Sequence, residues 1–200
     1  MSRQPFFLYL HGFLSSPLSK KALQTIEYCK QSGWDSQISV PEMTGGPAQT
    51  ISELRTIIAE RYDFEIKLIG SSLGGFYATF LSEEYDLPAV LINPAVRPFR
   101  SLKTLIGEHR NYYSDNIHIV TKEHMGELLQ LEKSPLENPD NFWVLLQTGD
   151  ETLDYRQAVR KYGEPNCLIR AKGSHSYDNF ESELPAVFKF LLSSIGQSVR

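Results

Sequence analysis

Only two of the 200 residues are cysteine, Cys29 and Cys167, too few and too far apart for a disulfide framework or a zinc site. A reducing compartment suits such a chain, and we read it as cytoplasmic. Long apolar runs are missing as well. The first, residues 6–10, is stopped by His11-Gly12 and is shorter than the core of a signal peptide or a membrane span. Neither sign of charge dominates: 20 basic and 24 acidic residues leave a formal −4. No nucleic-acid partner and no membrane partner is expected from that balance. The phosphate-cradling glycine motifs, the H-E-x-x-H zinc motif and any cysteine–histidine ligand spacing are absent. We therefore expect no metal and no cofactor, and chemistry carried by ordinary side chains on a small-molecule substrate.

What is present is a core-forming composition, 41% hydrophobic and 22% charged, of a size that suits one domain over residues 1–200. Short apolar runs alternate with helical periodicities. Strands are expected at residues 6–10, 37–40, 65–69, 89–92, 142–147 and 167–169. Between them, helices are expected from a Ser19 cap to Gly33 with Ala22, Leu23, Ile26 and Cys29 inward, and from Thr50 with Ile51, Leu54, Ile57 and Ile58 inward. Further helices are expected after Gly75 through Tyr85, at 155–162 and at 184–194. Alternation of this kind predicts an α/β fold with six mainly parallel strands and helices on both faces. Residues 95–141 are too long for a plain crossover, so a small insertion is expected there, with short helices at 99–106 and 123–131.

Gly70-Ser71-Ser72-Leu73-Gly74 matches G-x-S-x-G between an apolar strand and a helix. A nucleophilic serine needs that context: a tight turn lifts its hydroxyl above the sheet edge, and glycines two before and two after let the neighbouring backbones pass. The partners of such a serine follow it in the order acid, then histidine. Asp150 follows the strand at 142–147, and His175 follows the last strand; both fall at carboxyl ends, where a parallel sheet places its functional loops. Glu151 and Asp154 are rivals for the acid, while Asp178 reads as a cap. His109, His118 and His124 precede the acid and break the order. Backbone donors for an oxyanion are expected from Leu73 and from Phe13 or Leu14 after the first strand. Cys29 and Cys167 read as core fillers.

Taken together, Tyr9-Leu10-His11-Gly12-Phe13, residues 70–78, residues 91–98, Gln147-Thr148-Gly149-Asp150-Glu151 and Gly173-Ser174-His175 resemble the YqiA-like esterases, small bacterial α/β-hydrolases, across the whole chain. The resemblance implies an α/β-hydrolase fold and a cytoplasmic carboxylic-ester hydrolase. It also implies action on short acyl esters and, in some members, on acyl-CoA thioesters, through Ser72, Asp150 and His175. One departure is that Gly149 and Asp150 are adjacent, a shorter loop than many relatives have, from which Asp150 must reach His175. Within 95–141, Phe99, Leu102, Leu105, Tyr112 and Tyr113 are candidates to line an acyl groove with Leu14, edged by Arg97, Arg100 and Lys103. The other reading of the same residues is aromatics packed onto the sheet beneath a solvated basic rim. Two further functions use the same residues: an acyltransferase that hands the acyl group to another acceptor, and a non-catalytic protein that keeps the fold to bind a small ligand.

Overall fold

The computed structural model describes residues 3–193; Ser194, the expected end of the last helix, lies outside them, as do residues 1, 2 and 195–200 of the expected domain. Six strands form one parallel sheet: β1 (Pro5–Leu10), β2 (Ile38–Ser39), β3 (Glu65–Ser71), β4 (Ala89–Ile92), β7 (Phe142–Gln147) and β8 (Cys167–Arg170), in spatial order β2-β1-β3-β4-β7-β8. The helices are α1 (Lys20–Gln31), α2 (Pro47–Glu60), α3 (Leu73–Tyr85), α4 (Pro98–Ser101), α5 (Lys122–Gln130), α6 (Tyr155–Tyr162) and α7 (Leu184–Ser193).

Because strand side chains alternate between faces, the apolar runs divide into two cores. Phe6, Leu8, Leu10, Leu68, Leu91, Val144 and Leu146 pack on one face against α2, α3, α6 and Leu128 of α5. Phe7, Tyr9, Ile69, Val90, Ile92 and Leu145 pack on the other against α1 and α7. Phe188 of α7 anchors the second core, with its ring 4.7 Å from that of Phe7, 4.6 Å from Tyr28 and stacked on Trp34 at 5.6 Å.

Several local expectations shift for physical reasons. Helix α2 begins at Pro47 rather than Thr50, since proline fits the first helical position and Gly46 adopts the extended capping conformation. In α1 the buried stripe is Ala22, Thr25 and Cys29, which leaves Leu23 exposed; Thr25 can face the core because its hydroxyl donates to the Lys21 carbonyl at 2.8 Å. Ser19 occupies the cap position without a side-chain capping bond, and Gly33 follows the helix end at φ 80°. Residues 35–37 form a 3-10 turn that shortens β2.

The largest departure lies in the insertion. Besides α4, a 3-10 turn at Leu102–Leu105 and α5, it holds an antiparallel hairpin, β5 (Gly107–Arg110) and β6 (Ile117–Val120). His118 and Val120 point inward while Ile117 and Ile119 face solvent. The hairpin is tied to the loop after β1 by the Tyr112 amide on the Leu14 carbonyl at 3.0 Å and by the Asn111 side-chain amide on the Ser15 carbonyl at 2.8 Å.

The chain leaves β1 toward β2 on one side and leaves β3 toward β4 on the other. The carboxyl ends of these adjacent strands therefore open a crevice, the place where a parallel sheet receives a ligand. Truncating the aromatic anchor beneath that sheet should be costly: Phe188→Ala is expected to lower the unfolding free energy by about 3–5 kcal/mol in urea titration. A loss below about 1 kcal/mol would show that the second core does not depend on this ring.

Candidate active site

Ser72 stands between β3 and α3 with φ 54° and ψ −119°. Its amide donates to the Ile92 carbonyl at 3.0 Å, and its own carbonyl accepts from the amides of Gly75 and Ala95, each at 3.0 Å. Backbone crowding explains the flanking glycines. A Cβ on Gly74 would lie 2.1 Å from the Leu10 carbonyl oxygen, and one on Gly70 would lie 2.5 Å from the Gly74 carbonyl oxygen. The turn fits only without those side chains.

The hydroxyl so presented meets an imidazole. His175 Nε2 is 3.0 Å from Ser72 Oγ, and His175 Nδ1 is 2.8 Å from Asp150 Oδ2. An ionised carboxylate only accepts, so Nδ1 carries the hydrogen toward Asp150, and Nε2 is left as an acceptor for the serine hydroxyl. The short loop does not prevent the reach. Asp150 Oδ1 accepts the amides of Thr152 and Leu153 at 2.9 and 2.8 Å, which turns the chain back at once and aims Oδ2 at the ring. The Asp150 side chain is 2% exposed and that of His175 is 23% exposed, so the ion is sheltered while the imidazole borders solvent.

The rival acids have other partners. Glu151 accepts the backbone amide of His175 at 3.0 Å, Asp154 caps α6 by accepting the Arg156 amide at 3.0 Å, and Asp178 accepts the Ser174 hydroxyl at 2.7 Å. His109 bonds the Leu105 carbonyl, His118 lies beside Asn111, and His124 completes the cap of α5 with Thr121. Burial pushes the thiols of Cys29 and Cys167 up, to about 12 and about 11, which keeps both protonated and poorly nucleophilic at neutral pH.

The loop carrying His175 is held by two residues that sequence reasoning passed over. Asn93, at φ 41° just after β4, donates through Nδ2 to the carbonyls of Ser174 and His175 at 3.0 and 3.1 Å, and its Oδ1 accepts the Gln147 amide at 3.0 Å. Gln147, the last residue of β7, accepts the amides of Ser174 and Asp178 on Oε1 at 3.0 and 2.8 Å and donates from Nε2 to the Asp178 carbonyl at 3.0 Å. Lys21 of α1 adds a bond to the Ser176 carbonyl at 2.8 Å; burial pushes its ammonium down to about 8, against the pull of Asp150. The signal in the sequence was a polar residue closing each of two apolar strands.

Beside Ser72, the loop after β1 comes close enough that a Cβ on Gly12 would sit 3.2 Å from the serine Cβ. Among the described residues, no turn or loop hydrogen bond uses the amides of Phe13 or Leu73. Both residues line a cavity of about 50 Å³, with Leu14, Met43, Tyr77, Leu102 and Leu128 supplying apolar wall. His11 borders it too. The ring donates from Nδ1 to the Gly12 carbonyl at 2.9 Å, so Nε2 is a buried acceptor without a partner among the described residues. Burial lowers the pKa of both His11 and His118, which disfavours the charged form of each at the cavity wall.

The structure does not gather the other expected groove residues there. Phe99 packs on the first core, Tyr112 is 77% exposed, and Tyr113 and Leu105 also face solvent. The reason is the hairpin, which turns its inward positions to the cavity and carries the Tyr112-Tyr113 turn outward. Arg97 and Arg100 line a different cleft, over the ends of β4 and β7, and Lys103 lines neither. Of the expected groove, Leu14 and Leu102 remain at the cavity. Among the described residues, no group of three or more His, Cys, Asp or Glu is arranged to hold a metal ion, and no helix is long and apolar enough to cross a membrane.

Known structures share this architecture. Est1E from Butyrivibrio proteoclasticus superposes with a TM-score of 0.68 at 14% identity, over 98% of this chain and 90% of its own. Mouse alpha/beta hydrolase domain-containing protein 10 gives 0.68 at 15% identity, over 98% and 92%. The esterase domain of a Rhodothermus marinus protein gives 0.60 at 17%, over 96% and 88%. At such identities the likeness establishes the α/β-hydrolase fold. The model of the uncharacterised protein family UPF0227 matches residues 6–192, nearly the whole chain, and the chain therefore belongs to that YqiA-like family.

Proposed function

We propose that the protein is a serine carboxylic-ester hydrolase acting on short acyl esters. The observation that carries this reading is the hydrogen-bonded chain Ser72–His175–Asp150, with links of 3.0 and 2.8 Å. In the proposed cycle, His175 Nε2 takes the proton from Ser72 Oγ as the oxygen attacks the ester carbonyl, and Asp150 stabilises the resulting imidazolium. The amides of Leu73 and Phe13 receive the oxyanion, assisted by the N-terminus of α3. Collapse expels the alcohol, which leaves with the proton from His175, and an acyl-enzyme remains on Ser72. Water repeats the sequence and frees the acid.

The small cavity supports the acyl-chain class. It lies beside Ser72 and its wall of Leu14, Met43, Tyr77, Leu102 and Leu128 is apolar, which suits a short acyl group. Thioesters of equally short acids enter the same chemistry. The esterases among the structural neighbours are consistent with this reading.

A fluorophosphonate probe is expected to label the wild type and not Ser72→Ala, and the same variant should lose p-nitrophenyl acetate and butyrate hydrolysis. Labelling that persists without Ser72 would end the serine reading, whereas absent labelling and turnover would favour a ligand-binding protein. With an added alcohol or amine acceptor, the free acid should remain the main product; a dominant transfer product would make the enzyme an acyltransferase.

Asp150→Asn should lower kcat by about 10⁴-fold through the wrong imidazole tautomer. Glu151→Gln, which keeps an acceptor for the His175 amide, should cost far less; the reverse order would identify the wrong acid. Gln147→Leu removes the clamp on the His175 loop. It is expected to lower kcat by up to about 10²-fold with KM nearly unchanged, the pattern of a displaced base. A change in KM alone would refute that positioning role.

A further inference from the structure

Between the segment that follows β4 and the segment that follows β7 lies a second, larger and more polar cleft, of about 590 Å³. Its lining brings together Arg97, Arg100, Arg160 and Lys161, from an insertion helix and its cap on one side and from α6 on the other. Only Glu132 and Asp154 oppose them among the lining residues. Both carboxylates are already engaged, Glu132 by Arg97 Nε at 3.2 Å and Asp154 by the Arg156 amide and guanidinium. Among the described residues, Arg100, Arg160 and Lys161 form no ion pair.

Lys161 is the telling member. Its Nζ is shut off from solvent with no hydrogen-bond partner among the described residues, and it lies 5.7 Å from the Tyr162 ring centre. Its other charged neighbours are Arg97, Glu132 and Glu83, and Glu83 spends its two oxygens on the amides of Glu137 and Asn138. An ammonium buried behind the cleft wall without an acceptor is costly, and an anion in the cleft would lower that cost through its charge. Guanidinium forks beside an ammonium suit a tetrahedral dianion, which offers several acceptor oxygens at once. The cleft is also far larger than an inorganic anion and falls in the range of small-molecule sites, so an organic body attached to the anion would be accommodated.

We propose that this cleft binds a phosphate monoester group. Its walls are bonded to the reacting residues: the Ala95 amide donates to the Ser72 carbonyl, and the Leu153 amide donates to Asp150 Oδ1. A phosphorylated ester could thus place its acyl group in the small cavity over β1 and β3 while its phosphate lies over β4 and β7. Free inorganic phosphate is the other source of the same chemistry. The binding stands on the cleft alone; only its use by a substrate rests on the hydrolase reading.

The test is calorimetric titration with inorganic phosphate and with glycerol 3-phosphate at matched ionic strength. Saturable binding is expected in wild type and in Ser72→Ala, weakened at least tenfold in Lys161→Met and in the exposed double variant Arg100→Ala/Arg160→Ala, whose fold is checked by circular dichroism. No saturable binding of either probe, or equal binding by wild type and the double variant, overturns the proposal. A second arm compares butyrylglycerol with its phosphorylated counterpart. A tenfold or greater fall in kcat/KM confined to the phosphorylated ester in the double variant assigns the phosphate to the substrate. Binding of phosphate that alters turnover of both esters alike assigns it to a free effector. If neither ester is hydrolysed by wild type while phosphate still binds, the anion site stands and the hydrolase reading fails.

Discussion

The backbone of Ser72 is held where an L-residue does not go unaided. A positive φ at a non-glycine residue costs on the order of 1–3 kcal/mol and persists only when its surroundings over-determine it. Here the surroundings are the edge of a parallel sheet. The serine's amide is bound to β4, its carbonyl receives amides from α3 and from the segment after β4, and the next turn of α3 lies against the last carbonyls of β1. Three strands converge on one peptide, and the direction of the hydroxyl follows from that convergence rather than from any property of serine.

The histidine is fixed by a different means. It lies on an irregular loop with positive φ at Lys172, Gly173, Tyr177 and Asn179, a path that no repeating ladder can hold. Asn93 and Gln147 replace the ladder with side chains: Asn93 bonds both the loop and the Gln147 amide at the end of β7, and Gln147, itself that strand end, bonds the loop. The loop thereby shares its frame of reference with the strands that position Ser72 and Asp150. A serine–histidine distance of 3.0 Å between residues 103 positions apart in sequence depends on that shared frame.

Much of this was legible in the sequence, and the exceptions are instructive. The parallel sheet and its flanking helices were carried by apolar runs and helical periodicities, because burial on both faces leaves a pattern in every strand. The positions of Ser72, Asp150 and His175 were legible because chain order and strand ends constrain them. The β5–β6 hairpin was not: Gly107–Arg110 holds no apolar residue, and only alternate positions of Ile117–Val120 are buried. The cavity lining was hidden for the same reason, since it depends on which face of that hairpin turns inward. Arg160 and Lys161 looked like ordinary surface charges on α6. Only the tertiary arrangement brings them to Arg97 and Arg100, some sixty residues earlier in the chain.

The sheet also ends abruptly on both sides. Its outer strands are β2, of two residues, and β8, of four, and the last residue of β8, Arg170, is bound to Glu183 through both guanidinium nitrogens that face it. An open edge is a template on which another chain can add a strand, and shortness and charge are the usual defences against it. The four longer or central strands carry the cores and lead into the turns that hold Ser72 and Asp150, while the borders offer few unpaired amides to a neighbour. The same economy of edge leaves a sheet rich in phenylalanine, leucine and isoleucine with little border on which sheet-to-sheet growth could be seeded.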